Sequence, residues 1–151
     1  MGIAHSVSIR VFCGEGEAES ESEVIGGLKS LLPFDLEKEK IAIQKQTAFG
    51  FSDRRISIFE VALVKNRHIK AFLENLLPKI SATDKQMLLR QLESRIDDQA
   101  SFFVRFDKES LAKRNDLIVT DSGSCYHVKI KIAAYPSNKA NAMKIVRELM
   151  N

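Results

Sequence analysis

The alternation of Val128, Ile130 and Ile132 with His127, Lys129 and Lys131 fixes what the last quarter of the chain can become. A period of two means a strand with one buried face and one wet, basic face. Tyr135-Pro136 stops it, because proline has no N–H to give a ladder and restricts the residue before it. Ser137 or Asn138 then caps a helix in which Ala142, Ile145, Val146 and Leu149 share one face. Lys139, Lys144 and Arg147 fall on roughly the opposite face at about 100° per residue. One segment thus supplies both core and charged surface, and it shows no catalytic apparatus.

The preceding chain repeats this economy. His5–Phe12 alternates as a first strand, with Val7, Ile9 and Val11 inward and Ser8, Arg10 and Phe12 outward. Ser20-Glu21-Ser22-Glu23 has the form of a capping box and opens a helix with Val24, Leu28, Leu31 and Leu32 as its stripe; Pro33 ends it. Gly26-Gly27 weakens that helix by up to ~1 kcal/mol per glycine, a cost that close packing against a neighbour would explain. Ile41–Gln46 reads as a second strand, and Ala48–Arg55 as a turn or exposed loop carrying Phe49, Phe51, Arg54 and Arg55. Two fates suit those rings: stacking on a nucleic acid beside the arginines, or folding back onto the core. Ile56–Val64 is almost continuously apolar and predicts a central strand covered on both faces, or one bulged near Phe59. Asn66–Leu77 is the clearest helix, broken by Pro78, and Thr83-x-x-Gln86 predicts another running to about Ile96. Ser101–Asp107 puts Phe102, Val104 and Phe106 on one face of a strand and Phe103 and Arg105 on the other. Lys108–Arg114 suggests one or two helical turns, Leu117–Thr120 a strand, and Asp121–Ser124 a turn. The order of elements predicts one α+β domain over residues 1–151, a largely antiparallel sheet backed by helices.

Charge is segregated along this order. Residues 1–53 hold 5 Lys/Arg and 9 Asp/Glu, whereas residues 54–151 hold 18 and 11, so a net of −4 is followed by a net of +7. Such a division suits a polyanionic partner at one surface; it also suits a soluble protein with unevenly spread charge. No apolar run reaches the ~18 residues of a spanning helix, and no secretory signal is apparent, so no membrane partner is expected. Two cysteines, Cys13 and Cys125, make no disulfide framework, and a reducing cytoplasm is the expected setting.

Chemistry finds little support. Gly14-Glu15-Gly16 sits where a dinucleotide fingerprint would, but Glu19 occupies the third glycine's place and Glu15, Glu17, Glu21 and Glu23 would repel a phosphate. Cys125 and His127 share a strand face and could ligate a metal or act as nucleophile and base. No C-x-x-C or H-x-x-x-H accompanies them, and no orienting group is identifiable. Asp97-Asp98 has no converging partner acids. The reading is therefore a non-enzyme with no metal and no cofactor. What remains is the outward parity of three strands, where Arg10, Arg105, His127, Lys129 and Lys131 interleave with Phe12 and Phe103. If those strands are neighbours, cations for phosphates and rings for unstacked bases share one face. If helices cover that face too, the rings are core.

The run Lys131-Ile-Ala-Ala-Tyr-Pro-Ser-Asn-Lys-Ala-Asn-Ala142, followed by Val146-Arg-Glu-Leu149, resembles an archaeal family described as predicted exosome subunits or RNA-binding domains. His5–Phe12, Leu31-Leu32-Pro33 and Phe102–Lys108 resemble the same family's first strand, first helix end and strand ending in Asp-Lys. The resemblance covers nearly the whole chain, departing at Gly26-Gly27 and Phe49–Phe51, and implies a ribosomal-protein-five-like fold with helices on one side of the sheet. It implies a non-catalytic, RNA-binding accessory protein of archaeal RNA processing or translation, with exosome or ribosome-associated proteins as partners. The +7 region and the outward parity nominate Arg54, Arg55, Arg105, Lys108, Lys113, Arg114, Lys129 and Lys131 as phosphate contacts. The alternative is a protein–protein adaptor that docks through its acidic first helix or an apolar edge without touching RNA. An unpaired edge strand is compatible with a homodimer.

Overall fold

A computed structural model describes residues 2–16, 19–50 and 53–151. Its strands are β1 (Ala4–Gly14), β2 (Gln44–Phe49), β3 (Arg55–Leu63), β4 (Ser101–Asp107) and β5 (Cys125–Ile132). They form one sheet in the order β2-β3-β1-β5-β4, every pairing antiparallel. The helices are α1 (Glu21–Ser30), α2 (Asn66–Leu76), α3 (Ala82–Arg90), α4 (Leu92–Arg95), α5 (Lys108–Arg114) and α6 (Lys139–Met150). The α+β class with an antiparallel sheet is as the element order implies.

Strand parity decides the layering. Val7, Ile9 and Val11 of β1, Phe59, Val61 and Leu63 of β3, Phe102, Val104 and Phe106 of β4, and Tyr126, Val128, Ile130 and Ile132 of β5 are all buried. They share one core with Val24 and Leu28 of α1, Phe72 and Leu76 of α2, Leu88 of α3, and Ala142 and Val146 of α6. Burial of these side chains, each removing roughly 1.5–3 kcal/mol of unfavourable hydration, holds the helices to one face of the sheet.

Local sequence explains most boundaries. Ser20 accepts from the Glu23 N–H at 3.1 Å while Glu23 returns a bond to the Ser20 N–H, completing the capping box at α1. Gly27 lets α1 approach β5 and α5: a Cβ there would sit 2.2 Å from the Tyr126 hydroxyl and 3.2 Å from Ala112 Cα. That hydroxyl donates to the Val24 carbonyl at 2.7 Å, tying strand to helix inside the core. Asn138 caps α6 by accepting from the Asn141 N–H at 2.9 Å.

Several expectations are corrected. The second strand starts at Gln44, not Ile41, because Ile41 and Ile43 pack against the core from a segment outside the ladder. β3 is buried on one face only; Ile56 and Ile58 are half-buried and Ala62 exposed, and its ladder with β1 runs without a bulge from Leu63 to Ile56. The helix expected from Thr83 is capped two residues earlier by Ser81, which accepts from the Asp84 N–H, and it breaks at Gln91 into α3 and α4. Leu117–Thr120 contributes a single bridge, Val119 to Phe106. Phe49 does not fold back: it is 69% exposed. Phe51, Ser52 and Glu17 lie outside the described residues.

Candidate functional site

The outer face of β1, β5 and β4 carries the charge. Because β5 lies between β1 and β4, the ladder sets Arg10 opposite His127 and His127 opposite Arg105. The next row toward one end sets Ser8 opposite Lys129 and Lys129 opposite Phe103. Lys131 follows, between Ser6 and Ser101. Directly opposed residues in an antiparallel pair stand close enough for side-chain contact, so four cations and an imidazole line the β5 axis. Arg10, Arg105 and Lys129 are exposed. Lys131 is half-buried, its Nζ donating to the Gln99 carbonyl.

Two rings stand among these charges. Phe12 is 40% exposed and Phe103 38%, so neither belongs to the core. Lys129 Nζ lies 5.8 Å from the Phe103 centroid, and the His127 ring meets Phe12 edge-on at 6.1 Å. The face is graded. Its β3–β2 side shows Ile58, Glu60, Gln44 and Gln46, and Glu60 marks the boundary by pairing with Arg10 at 2.7 Å.

The electrostatics fit a site that receives an anion. His127 is held below its ordinary pKa by burial, with Arg105 and Arg10 adding to the effect, so two separate guanidinium fields converge on one ring. Cys125 Sγ lies 3.4 Å from His127 Nε2, but burial raises the thiol. A raised thiol beside a neutral, cation-crowded imidazole is the reverse of an activated nucleophile. Among the described residues, no three His, Cys, Asp or Glu side chains gather as metal ligands would.

The eight nominated cations do not form one site. Arg105, Lys129 and Lys131 join on the open face. Lys108 is buried, 2% exposed, and its Nζ donates to the Phe12 carbonyl at 2.9 Å beneath that face. It cannot serve as a phosphate contact. Lys113 and Arg114 lie on α5, in the helical layer, where Arg114 bonds Ser110 and approaches Glu109. Arg55 begins β3 beside the acidic turn; its N–H and carbonyl bond Glu15, and its charge acts on Glu21. Arg54 is exposed in the β2–β3 connection. Arg10 and His127, which share the outward parity, belong to the cluster although the cation nomination omitted them. Arg95 was missed altogether: it is nearly buried at the β4 edge and bonds Asp121 and Gln91. Its setting depends on the α3–α4 break at Gln91, which no turn or breaker residue marks in the chain.

A family model described as RNA binding matches residues 6–134, and the chain belongs to that family. A protein of Pyrococcus abyssi named as RNA-binding is 29% identical over 145 residues, spanning 96% of this chain and 92% of its own length. An uncharacterised protein of Methanocaldococcus jannaschii is 26% identical, covering 83% of this chain and 85% of itself. Among solved structures, a protein of Archaeoglobus fulgidus assigned to the DUF54 family superposes with a TM-score of 0.81 at 27% identity, over 97% of this chain and 99% of that one. A DUF54 protein of Methanothermobacter thermautotrophicus shares the fold, with a TM-score of 0.76 at 22% identity over 98% of each chain.

Proposed function

We propose that this member of the RNA-binding family binds single-stranded or looped RNA across the outer face of β1, β5 and β4. The observation that carries the reading is the row Arg10–His127–Arg105, flanked by Lys129 and by the exposed rings of Phe12 and Phe103. RNA is recognised where bases are unstacked, so that rings can take base faces while cations take phosphates. The outer face of these strands offers both at the spacing of adjacent strands. The side chains bind and orient; none is arranged to attack. We read the chain as a non-catalytic accessory protein of archaeal RNA processing or translation, with exosome or ribosome-associated proteins as neighbours. This finer placement is supported by the resemblance carried by Ala134-Tyr135-Pro136 and the helix that follows it.

Fluorescence anisotropy with a labelled oligoribonucleotide across a salt series tests the reading. Binding should weaken with salt by a slope of about 0.7 log units per neutralised phosphate. The Lys129→Glu, Lys131→Glu double variant should reduce affinity at least about tenfold and flatten that slope. No binding at 50 mM salt, or a double variant that binds like the parent, would sink the proposal.

A further inference from the structure

The open face ends at β4 in a groove of about 340 Å³ lined by Gln91, Ser94, Arg95, Phe103, Arg105 and Asp121. That volume lies at the small end of the range for ligand sites, ~300–1,000 Å³. The groove is built rather than incidental. The break between α3 and α4 places Gln91 so that its Oε1 accepts from Arg95 Nε at 2.8 Å. The remaining arm of Arg95 donates to Asp121 Oδ1, and Arg105 donates to the Asp121 carbonyl at 3.2 Å. Arg95 is buried, and its pairing with the Asp121 carboxylate offsets part of the cost of desolvation. Asp121, by contrast, is 63% exposed in its side chain, and among the described residues its Oδ2 has no hydrogen-bond donor. An exposed carboxylate paired with Arg95, on a residue whose backbone carbonyl accepts from Arg105, stands next to a half-open phenyl ring as a directed acceptor beside a stacking platform.

We propose that this groove is a base-recognition subsite for an unstacked guanine in single-stranded RNA. The Phe103 ring takes the base face, and the Asp121 carboxylate accepts its Watson–Crick N–H groups. Guanine is the one common base with two adjacent donors on that edge, N1–H and N2–H, which match two carboxylate oxygens; the other bases offer one. Arg95 and Arg105 keep the carboxylate from repelling the phosphates alongside, and Lys129 over Phe103 can follow the strand toward the β5 cations. The inference rests on the open face being the RNA surface.

The test uses one oligouridylate series in which a single central position is guanosine, inosine or adenosine, measured by anisotropy against the intact protein. Guanosine should bind tightest, by roughly five- to a hundred-fold over adenosine, the range expected for one good bidentate base contact. Inosine, which lacks the N2 amine, should fall between. Asp121→Asn should erase the preference for guanosine over adenosine. Because the inosine comparison needs no variant, it stands even if Asp121→Asn unfolds. Equal affinity for all three oligonucleotides, with strong salt-dependent binding, would overturn the guanine subsite and leave the open face intact. Absence of binding to any of them would overturn both. Free GMP binding as tightly as the oligonucleotide would also overturn the subsite, since affinity would then not be shared with the sheet.

Discussion

On β1, Val7, Ile9 and Val11 enter the core while Arg10 and Phe12, one residue out of phase, meet solvent. The same strands therefore make two surfaces with different physics. On the inner face, identity is set by volume: Tyr126, Phe59, Phe102 and Phe106 fill a close-packed layer in which one extra methyl is felt. On the outer face, identity is set by charge and accessibility, and conservative size changes should matter little. A cation's sequence neighbourhood does not say which surface it serves. Lys108 and Lys129 are both lysines of the basic region, yet one is sealed under Phe12 and the other lies over Phe103.

The sharpest way to break this contrast is to treat the two lysines alike. Lys108→Glu should cost about 3 kcal/mol or more in chemical denaturation, because it places a carboxylate in a buried site facing the Phe12 carbonyl. Lys129→Glu should leave the denaturation midpoint nearly unchanged and act only on RNA. Two variants with the opposite pattern would exchange the roles assigned to the faces.

The adjacent glycines of α1 give a smaller effect of the same kind. Gly27→Ala should destabilise by about 1–3 kcal/mol, since its methyl would collide with the buried, hydrogen-bonded Tyr126 hydroxyl. Gly26→Ala meets nothing within 4 Å and should stabilise by about 0.5–1 kcal/mol through helix propensity. Thermal unfolding of the pair reads both signs; equal shifts would mean α1 does not approach β5 as described.

Much of this was legible beforehand, for a physical reason. Side-chain period along a strand is local, so the inward and outward sets of β1, β4 and β5 could be read off the sequence, as could the capping box at Ser20. Which strands are neighbours is not local. β5 sits between β1 and β4, and only that long-range pairing turns outward parity into the Arg10–His127–Arg105 row. Lys108 misled because it stands in a polar run, Asp107-Lys108-Glu109-Ser110, that looks solvated; Asp107 caps α5 there and turns the lysine inward. Lys113 and Arg114 count toward the +7 region but lie in the helical layer. A net charge does not specify a face.

The smallest effect is proton-linked. His127 is held below its ordinary value, so as pH falls through about 6.5 the unfolded chain takes up a proton that the folded chain still refuses. Folding stability should therefore decline modestly over that interval, and His127→Gln should remove the dependence. Bound phosphate would offset Arg10 and Arg105 and favour the imidazolium, so RNA affinity should rise over the same fall in pH. Affinity that is flat with pH in the parent would show that phosphate does not sit near this row.

Whether the open sheet face or the helical layer meets RNA is decided by NMR of the arginine side-chain Nε–Hε signals during an RNA titration. Arg10 and Arg105 report the open face; Arg54, Arg55 and Arg114 report the hairpin end and α5. Arg10 and Arg105 should shift with RNA and saturate at the anisotropy-derived affinity, while the other three hold still. Saturable shifts confined to Arg54, Arg55 and Arg114 would contradict it.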